Sequence, residues 1–257
     1  MRVNIEEVEL NYICEGQGKD VLILHGWGAN INTILSIFNL LKPHFKVYAL
    51  DLPGFGKSTE PKEVFGSEDY ARIVKKFIDK MKIQKIILIG HSFGGKVSIW
   101  LGSKYPEMID KIVLIDSAGL KNKRGFKYYA KVYSFKTLKF FYKTIFFWID
   151  ADERMEKFYK KFGSADYKDA NGIMRKILVK VVNEDLKPIL KNIKSPTLLI
   201  WGDKDTATPL YMGKIMEKEI ADSGLVVLKN TGHYSYLDDY NQFSIILKAF
   251  LLPKDMN

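Results

Sequence analysis

A single cysteine, Cys14, stands in 257 residues. No internal disulfide can form, which excludes a disulfide-stapled scaffold and accords with a reducing compartment. No uncharged apolar run approaches the roughly 18 residues that a membrane span needs. Met1 to Leu10 include Glu6, Glu7 and Glu9 and lack the apolar stretch of a secretory leader, so the expected location is the cytoplasm. Histidine is scarce too: His25, His44, His91 and His233. With one cysteine they make no zinc or iron–sulfur ligand pattern, and neither metal nor cofactor is expected. Acidic residues are missing from Lys121 to Trp148, where eight Lys and Arg residues gather, so much of the net charge of +10 sits in one segment.

What is present is an ordinary globular composition, 47% hydrophobic and 27% charged, which excludes a disordered chain. The first third alternates strand and helix signals. Val3 to Ile13 is β-rich, and Val21 to Leu24, Val47 to Leu50, Ile86 to Ile89 and Ile112 to Ile115 are short apolar runs of the kind buried on both faces of a sheet. Between them the pattern predicts helices over Asn32 to Leu41, from a Ser67 cap to about Met81, and over Phe93 to Lys104. The rhythm then breaks. Residues 119–193 are helical, aromatic and basic, after which Thr197 to Ile200, Pro209 to Ile220, Leu225 to Leu228 and Asp238 to Leu251 restore the alternation. This reads as an α/β fold: one doubly wound, mostly parallel sheet built from 1–118 and 194–257, with a helical cap inserted at 119–193.

Gly90-His91-Ser92-Phe93-Gly94 follows one of the buried strands directly and opens a helix. A strand turning that sharply strains the central residue, and only small flanking residues let strand and helix pack so closely. The turn lifts the Ser92 hydroxyl above the sheet and places the Phe93 N–H at a helix N-terminus, where it can donate to a developing oxyanion. Serine is a weak nucleophile and needs a base, which in turn needs an orienting acid. His44 has no motif around it. His91 precedes the nucleophile and should point away from it. His25, in His25-Gly26-Trp27-Gly28, suits a bracing role for the loops around the turn. His233 follows the last strand in Thr231-Gly232-His233, where a loop at a strand's carboxyl end reaches the top of the sheet, and is the expected base. Asp205, in Trp201-Gly202-Asp203-Lys204-Asp205, is the preferred acid on its spacing in the loop. Asp203 and Asp116 are its rivals.

Taken together, the segments H-G-W-G at 25–28, D-L-P-G-F-G-K-S at 51–58, G-H-S-F-G-G at 90–95 and W-G-D-K-D at 201–205 resemble the α/β-hydrolase superfamily over essentially the whole chain. The order Ser92, Asp205, His233 is that superfamily's order. The resemblance is to the branch of small capped esterases and meta-cleavage product hydrolases. It implies that the Trp27 N–H is the second oxyanion donor beside Phe93, and that Asp51 to Ser58 flanks the entrance to the site. The expected activity is serine hydrolysis of a small apolar or aromatic carboxylic ester. Hydrolysis or a lyase step at a carbon–carbon bond, or a non-catalytic ligand-binding scaffold, are the alternatives. The cap's aromatics suit an acyl pocket. Membrane-surface contact through the basic cap is disfavoured because the apolar residues do not segregate to one face. Nucleic acid is not expected as a partner, since no matching motif accompanies the charge.

Overall fold

The structure, a computed structural model, describes residues 1–121, six positions between 133 and 144, residue 170 and residues 172–252. The cap expectation therefore falls largely outside the described residues. Among them the strands are β1 (Arg2–Ile5), β2 (Val8–Glu15), β3 (Asp20–Leu24), β4 (Lys46–Leu50), β5 (Ile86–His91), β6 (Ile109–Ile115), β7 (Thr197–Gly202) and β8 (Ser223–Leu228). They form a sheet in the order β1-β2-β4-β3-β5-β6-β7-β8. β1 and β2 pair antiparallel, as do β2 and β4, and every pair from β4 to β8 is parallel.

The apolar runs explain the layering. Successive side chains leave opposite faces of a strand, so each run supplies both. Leu22, Leu24, Leu88, Leu114 and Trp201 pack on one face, against α2 (Ser67–Lys80), α3 (Phe93–Lys104) and α5 (Tyr211–Glu219). Val21, Ile23, Ile89, Ile115 and Ile200 pack on the other, against α1 (Leu35–Leu41) and α6 (Tyr240–Leu251). Helix α4 (Gly172–Val181) lies in the stretch read as cap, yet Met174, Ile177 and Val181 are buried in the same core as α2 and α3.

Three boundaries differ from the sequence reading for local reasons. Val3 to Ile13 is two strands, because Glu6 adopts φ 53 and its carboxylate is held by Arg72 and Lys76 of α2. The helix expected from Asn32 begins as a single 3-10 turn, Ile31–Ile34, capped by the Asn30 side chain. Ser67 is not the cap of α2 but its first residue. Gly66 occupies the cap position, its N–H donating to Asp69, while the Ser67 hydroxyl is bonded to Glu184 and accepts the Trp100 indole N–H. Glu184 also lies 3.6 Å from the buried Lys96 ammonium, which donates to the carbonyls of Val181 and Glu184. This knot ties the end of α4 to α3, the helix that starts beside Ser92. Burial lowers the Lys96 pKa, and the nearby Glu184 carboxylate opposes that shift.

Candidate active site

Ser92 sits between β5 and α3 with φ 50 and ψ −111, a conformation that costs a non-glycine residue about 1–3 kcal/mol. Its backbone is pinned to the end of β6. The Ser92 N–H donates to the Ile115 carbonyl at 3.0 Å, and the Ala118 N–H donates to the Ser92 carbonyl at 3.0 Å. The flanking glycines are sterically required. A Cβ at Gly94 would be driven into the Leu24 carbonyl, and one at Gly90 would lie 2.5 Å from the Gly94 carbonyl carbon.

His233 and Asp205 arrive from the carboxyl ends of β8 and β7. His233 Nε2 lies 3.0 Å from Ser92 Oγ, and His233 Nδ1 lies 2.8 Å from Asp205 Oδ2. An ionised carboxylate only accepts, so Nδ1 carries the proton and Nε2 is left to accept from the serine. Asp205 is buried at 5% exposure. Its Oδ1 accepts from the Ala207 and Thr208 N–H groups at 2.8 and 3.0 Å, and its Oδ2 is 2.7 Å from the Thr208 hydroxyl. Burial pushes the Asp205 carboxyl up, but the bonds from His233 and Thr208 outweigh it and hold the group below its ordinary range. The Trp201 indole fixes this loop by donating to the Thr208 carbonyl at 2.6 Å.

The two rival acids lie elsewhere in the network. Asp116, fully buried with φ 43, accepts from the Gly202 N–H at 2.8 Å and the Ser235 N–H at 3.0 Å, and so ties the loop of Asp205 to that of His233. Burial pushes its carboxyl up to about 7. Asp203 has a buried Oδ1 without a hydrogen-bond partner, and the His233 imidazole pairs with Asp205.

The turn after β3 adjoins Ser92: a Cβ on Gly26 would be 3.3 Å from Ser92 Cβ. The Trp27 ring packs edge-on against Phe93 and Phe55 at centroid distances of 5.4 and 4.9 Å. Helix α3 begins at Phe93, so its N–H precedes the helix's own bonding ladder. Neither the Trp27 nor the Phe93 N–H has an acceptor among the described residues. His25 is a brace. Its Nε2 accepts from the Leu52 N–H at 3.0 Å, which leaves Nδ1 to donate to the Gly26 carbonyl at 2.7 Å. That joins the 25–28 turn to the 51–58 loop, itself organised by Asp51, whose carboxylate takes the Ile31 and Lys57 N–H groups. His91 reaches toward the His233 loop. Its Nε2 lies 2.8 Å from the His233 carbonyl. His44 takes no part in this network. Among the described residues no group of three or more His, Cys, Asp or Glu side chains is arranged to hold a metal ion.

Sequence reasoning did not find Thr208, and it left Asp116 only as a candidate acid. A threonine three residues after an aspartate, ahead of Pro209, is a turn signal that could have marked the first.

Two buried imidazoles give the site an acid limit. Burial lowers His25 to about 4 and His91 to about 3. On acidification the unfolded chain takes up these protons before the folded one, so the stability from the neutral rings is complete above about pH 6.5 and is lost as pH falls toward 4. Asp116 opposes this, because its raised value lets the folded state bind a proton first between about 7 and 4. Two imidazoles against one carboxyl leave a net loss of about 2 kcal/mol between pH 6.5 and 4.5. Scanning calorimetry should show the midpoint falling over this interval; a level or rising midpoint would contradict the assignment.

A family model described as alpha/beta hydrolase fold matches residues 20–240. The chain belongs to this family and is a hydrolase of the α/β fold. It is 28% identical to the 2-hydroxy-6-oxononadienedioate/2-hydroxy-6-oxononatrienedioate hydrolase of Escherichia coli (strain K12), covering 97% of this chain and 94% of that one. It is 26% identical to Lipase 1 of Psychrobacter immobilis, covering 90% and 78%. The enol-lactonase from Burkholderia xenovorans LB400 shares its fold with a TM-score of 0.76 at 21% identity, over 98% of this chain and 100% of that one.

Proposed function

We propose that the protein is a serine hydrolase that cleaves a small carboxylic ester through an acyl-enzyme. The observation that carries this is the unbroken hydrogen-bonded chain from Ser92 Oγ through His233 to Asp205. In this reading His233 Nε2 takes the Ser92 proton as Oγ attacks the ester carbonyl, while Asp205 holds Nδ1–H and stabilises the imidazolium. The Trp27 and Phe93 N–H groups stabilise the oxyanion. The tetrahedral intermediate collapses and His233 protonates the leaving alcohol. Water then gives a proton to His233 as it attacks the acyl carbonyl, and His233 returns that proton to Ser92 Oγ as the acyl–Oγ bond breaks and the acid product leaves. Residues 119–193 take the cap's task of shaping an apolar or aromatic acyl pocket. The approach of Met174 to Gly54, where a Cβ would meet the Met174 side chain, supports a place for α4 beside the 51–58 loop.

A second reading is hydrolysis of a carbon–carbon bond in a small acid, favoured by the relative from Escherichia coli named for such a substrate. The same triad would serve it. Two assays separate the readings: hydrolysis of p-nitrophenyl butyrate, and cleavage of a vinylogous 1,5-diketone acid. Turnover of the ester with kcat/KM above about 10⁴ M⁻¹s⁻¹, the lower end of the usual enzyme range, supports the first reading. Turnover of the diketone acid alone overturns it.

A further inference from the structure

Resting on the serine-hydrolase reading, we propose that His91 is a positioning residue, holding the general base in register by a hydrogen bond to the base's own backbone. His91 is the last residue of β5 and immediately precedes Ser92. Its Nε2–H donates to the His233 carbonyl at 2.8 Å. Its ring stands 5.0 Å from the His233 ring, 5.0 Å from Tyr234 and 5.2 Å from Tyr236, centroid to centroid. The turn that holds Trp27 also closes on it, so that a Cβ on Gly26 would lie 3.0 Å from His91 Nδ1. One side chain thus touches the base loop and the oxyanion turn while adjoining the nucleophile along the chain.

The other anchors of the base loop lie on either side of His233. The Gly232 N–H donates to Asp238 at 2.7 Å and the Ser235 N–H to Asp116 at 3.0 Å. The contact that fixes residue 233 itself through its backbone comes from His91. The tautomer follows from chemistry: the partner is a carbonyl, so Nε2 must donate, and Nδ1 is left as a buried acceptor with no partner. A buried ring with one unanswered nitrogen is a costly way to fill space. The cost is intelligible if the donor at Nε2 is what the site needs. The titratable groups around the ring are His233, Asp205, His25, Tyr234 and Tyr236, and burial keeps His91 neutral among them.

The comparison that isolates the donor is His91→Met against His91→Gln. The two side chains are close in size and reach, but only glutamine offers an N–H near the position of Nε2. Each variant is assayed on p-nitrophenyl butyrate for kcat and KM, with fluorophosphonate labelling of Ser92 and a thermal midpoint. The methionine variant should lose about 30-fold in kcat with KM within about twofold, because losing a placement needed only in the transition state lowers kcat. The glutamine variant should recover most of that loss. Equal kcat in the methionine variant and wild type, or equal losses in both variants with folded protein, overturns the proposal. Should the methionine variant not fold, nitrogen NMR of the wild-type imidazoles decides instead. A protected Nε2–H on His91 supports the proposal and an Nδ1–H tautomer overturns it. Wild type that neither labels at Ser92 nor turns over ester would remove the hydrolase reading beneath it, whereas labelling with an unaffected methionine variant removes this proposal alone.

Discussion

Ser92→Ala should lower kcat/KM on short esters by about a million-fold, the scale on which a serine nucleophile is lost when base and acid remain. The fold should survive. The Ser92 Oγ contributes one hydrogen bond, to His233, while the backbone bonds to Ile115 and Ala118 do not involve the side chain. Alanine inherits the strain of φ 50, since it too has a Cβ. Ser92→Gly makes a useful companion. It should be equally inactive yet more stable than the alanine variant by about 1 kcal/mol, because glycine adopts positive φ freely. Steady-state kinetics and thermal unfolding measure both effects. An alanine variant retaining a tenth of wild-type activity would place the chemistry elsewhere.

The second large effect concerns the acid. Asp205→Asn should reduce kcat by about 10⁴-fold at neutral pH, because an amide no longer selects the Nδ1–H tautomer or offsets the imidazolium charge. The asparagine oxygen can still accept from the Ala207 and Thr208 N–H groups, so the loop keeps its shape and the loss is chemical. Asp203→Asn is the control. Its carboxylate has no bond to His233, and activity should stay within a few-fold of wild type, since substitutions outside the hydrogen-bonded chain have small effects. A large loss at Asp203 with a small one at Asp205 would reverse the assignment of the acid.

The parallel strands were legible because a run such as Val21 to Leu24 must bury both of its faces, and few other structures ask that of four consecutive apolar residues. The turn at Ser92 was legible because two glycines flank a serine where a strand becomes a helix, and the collisions a Cβ would make at Gly90 and Gly94 are the reason for the pattern. The choice of His233 came from the position of its loop at a strand end, and the structure does bring that ring to Ser92. Less was legible where the partner is a backbone group. That Asp116 serves the N–H groups of Gly202 and Ser235, and His91 the carbonyl of His233, has no counterpart in residue type, since every position carries the same peptide atoms. Lys96 was hidden for a related reason. A lysine reads as solvated wherever it stands, and only the fold reveals carbonyls from Val181 and Glu184 waiting for it. Ser67 was misplaced by one position because a serine at a helix start usually caps it, whereas here Glu184, more than a hundred residues away, claims the hydroxyl.

The chain leaves the sheet after β6 and rejoins it at β7, and near the point of departure the Leu186 N–H donates to the Gly119 carbonyl at 2.7 Å. That bond closes a ring of peptide at its neck. Because the entropy of closing such a ring grows only with the logarithm of its length, doubling the enclosed segment costs about 0.6 kcal/mol. The part of the excursion ahead of α4 can thus change length at little entropic cost, whereas α4 itself has to be kept, because Met174, Ile177 and Val181 are buried in the core beneath it.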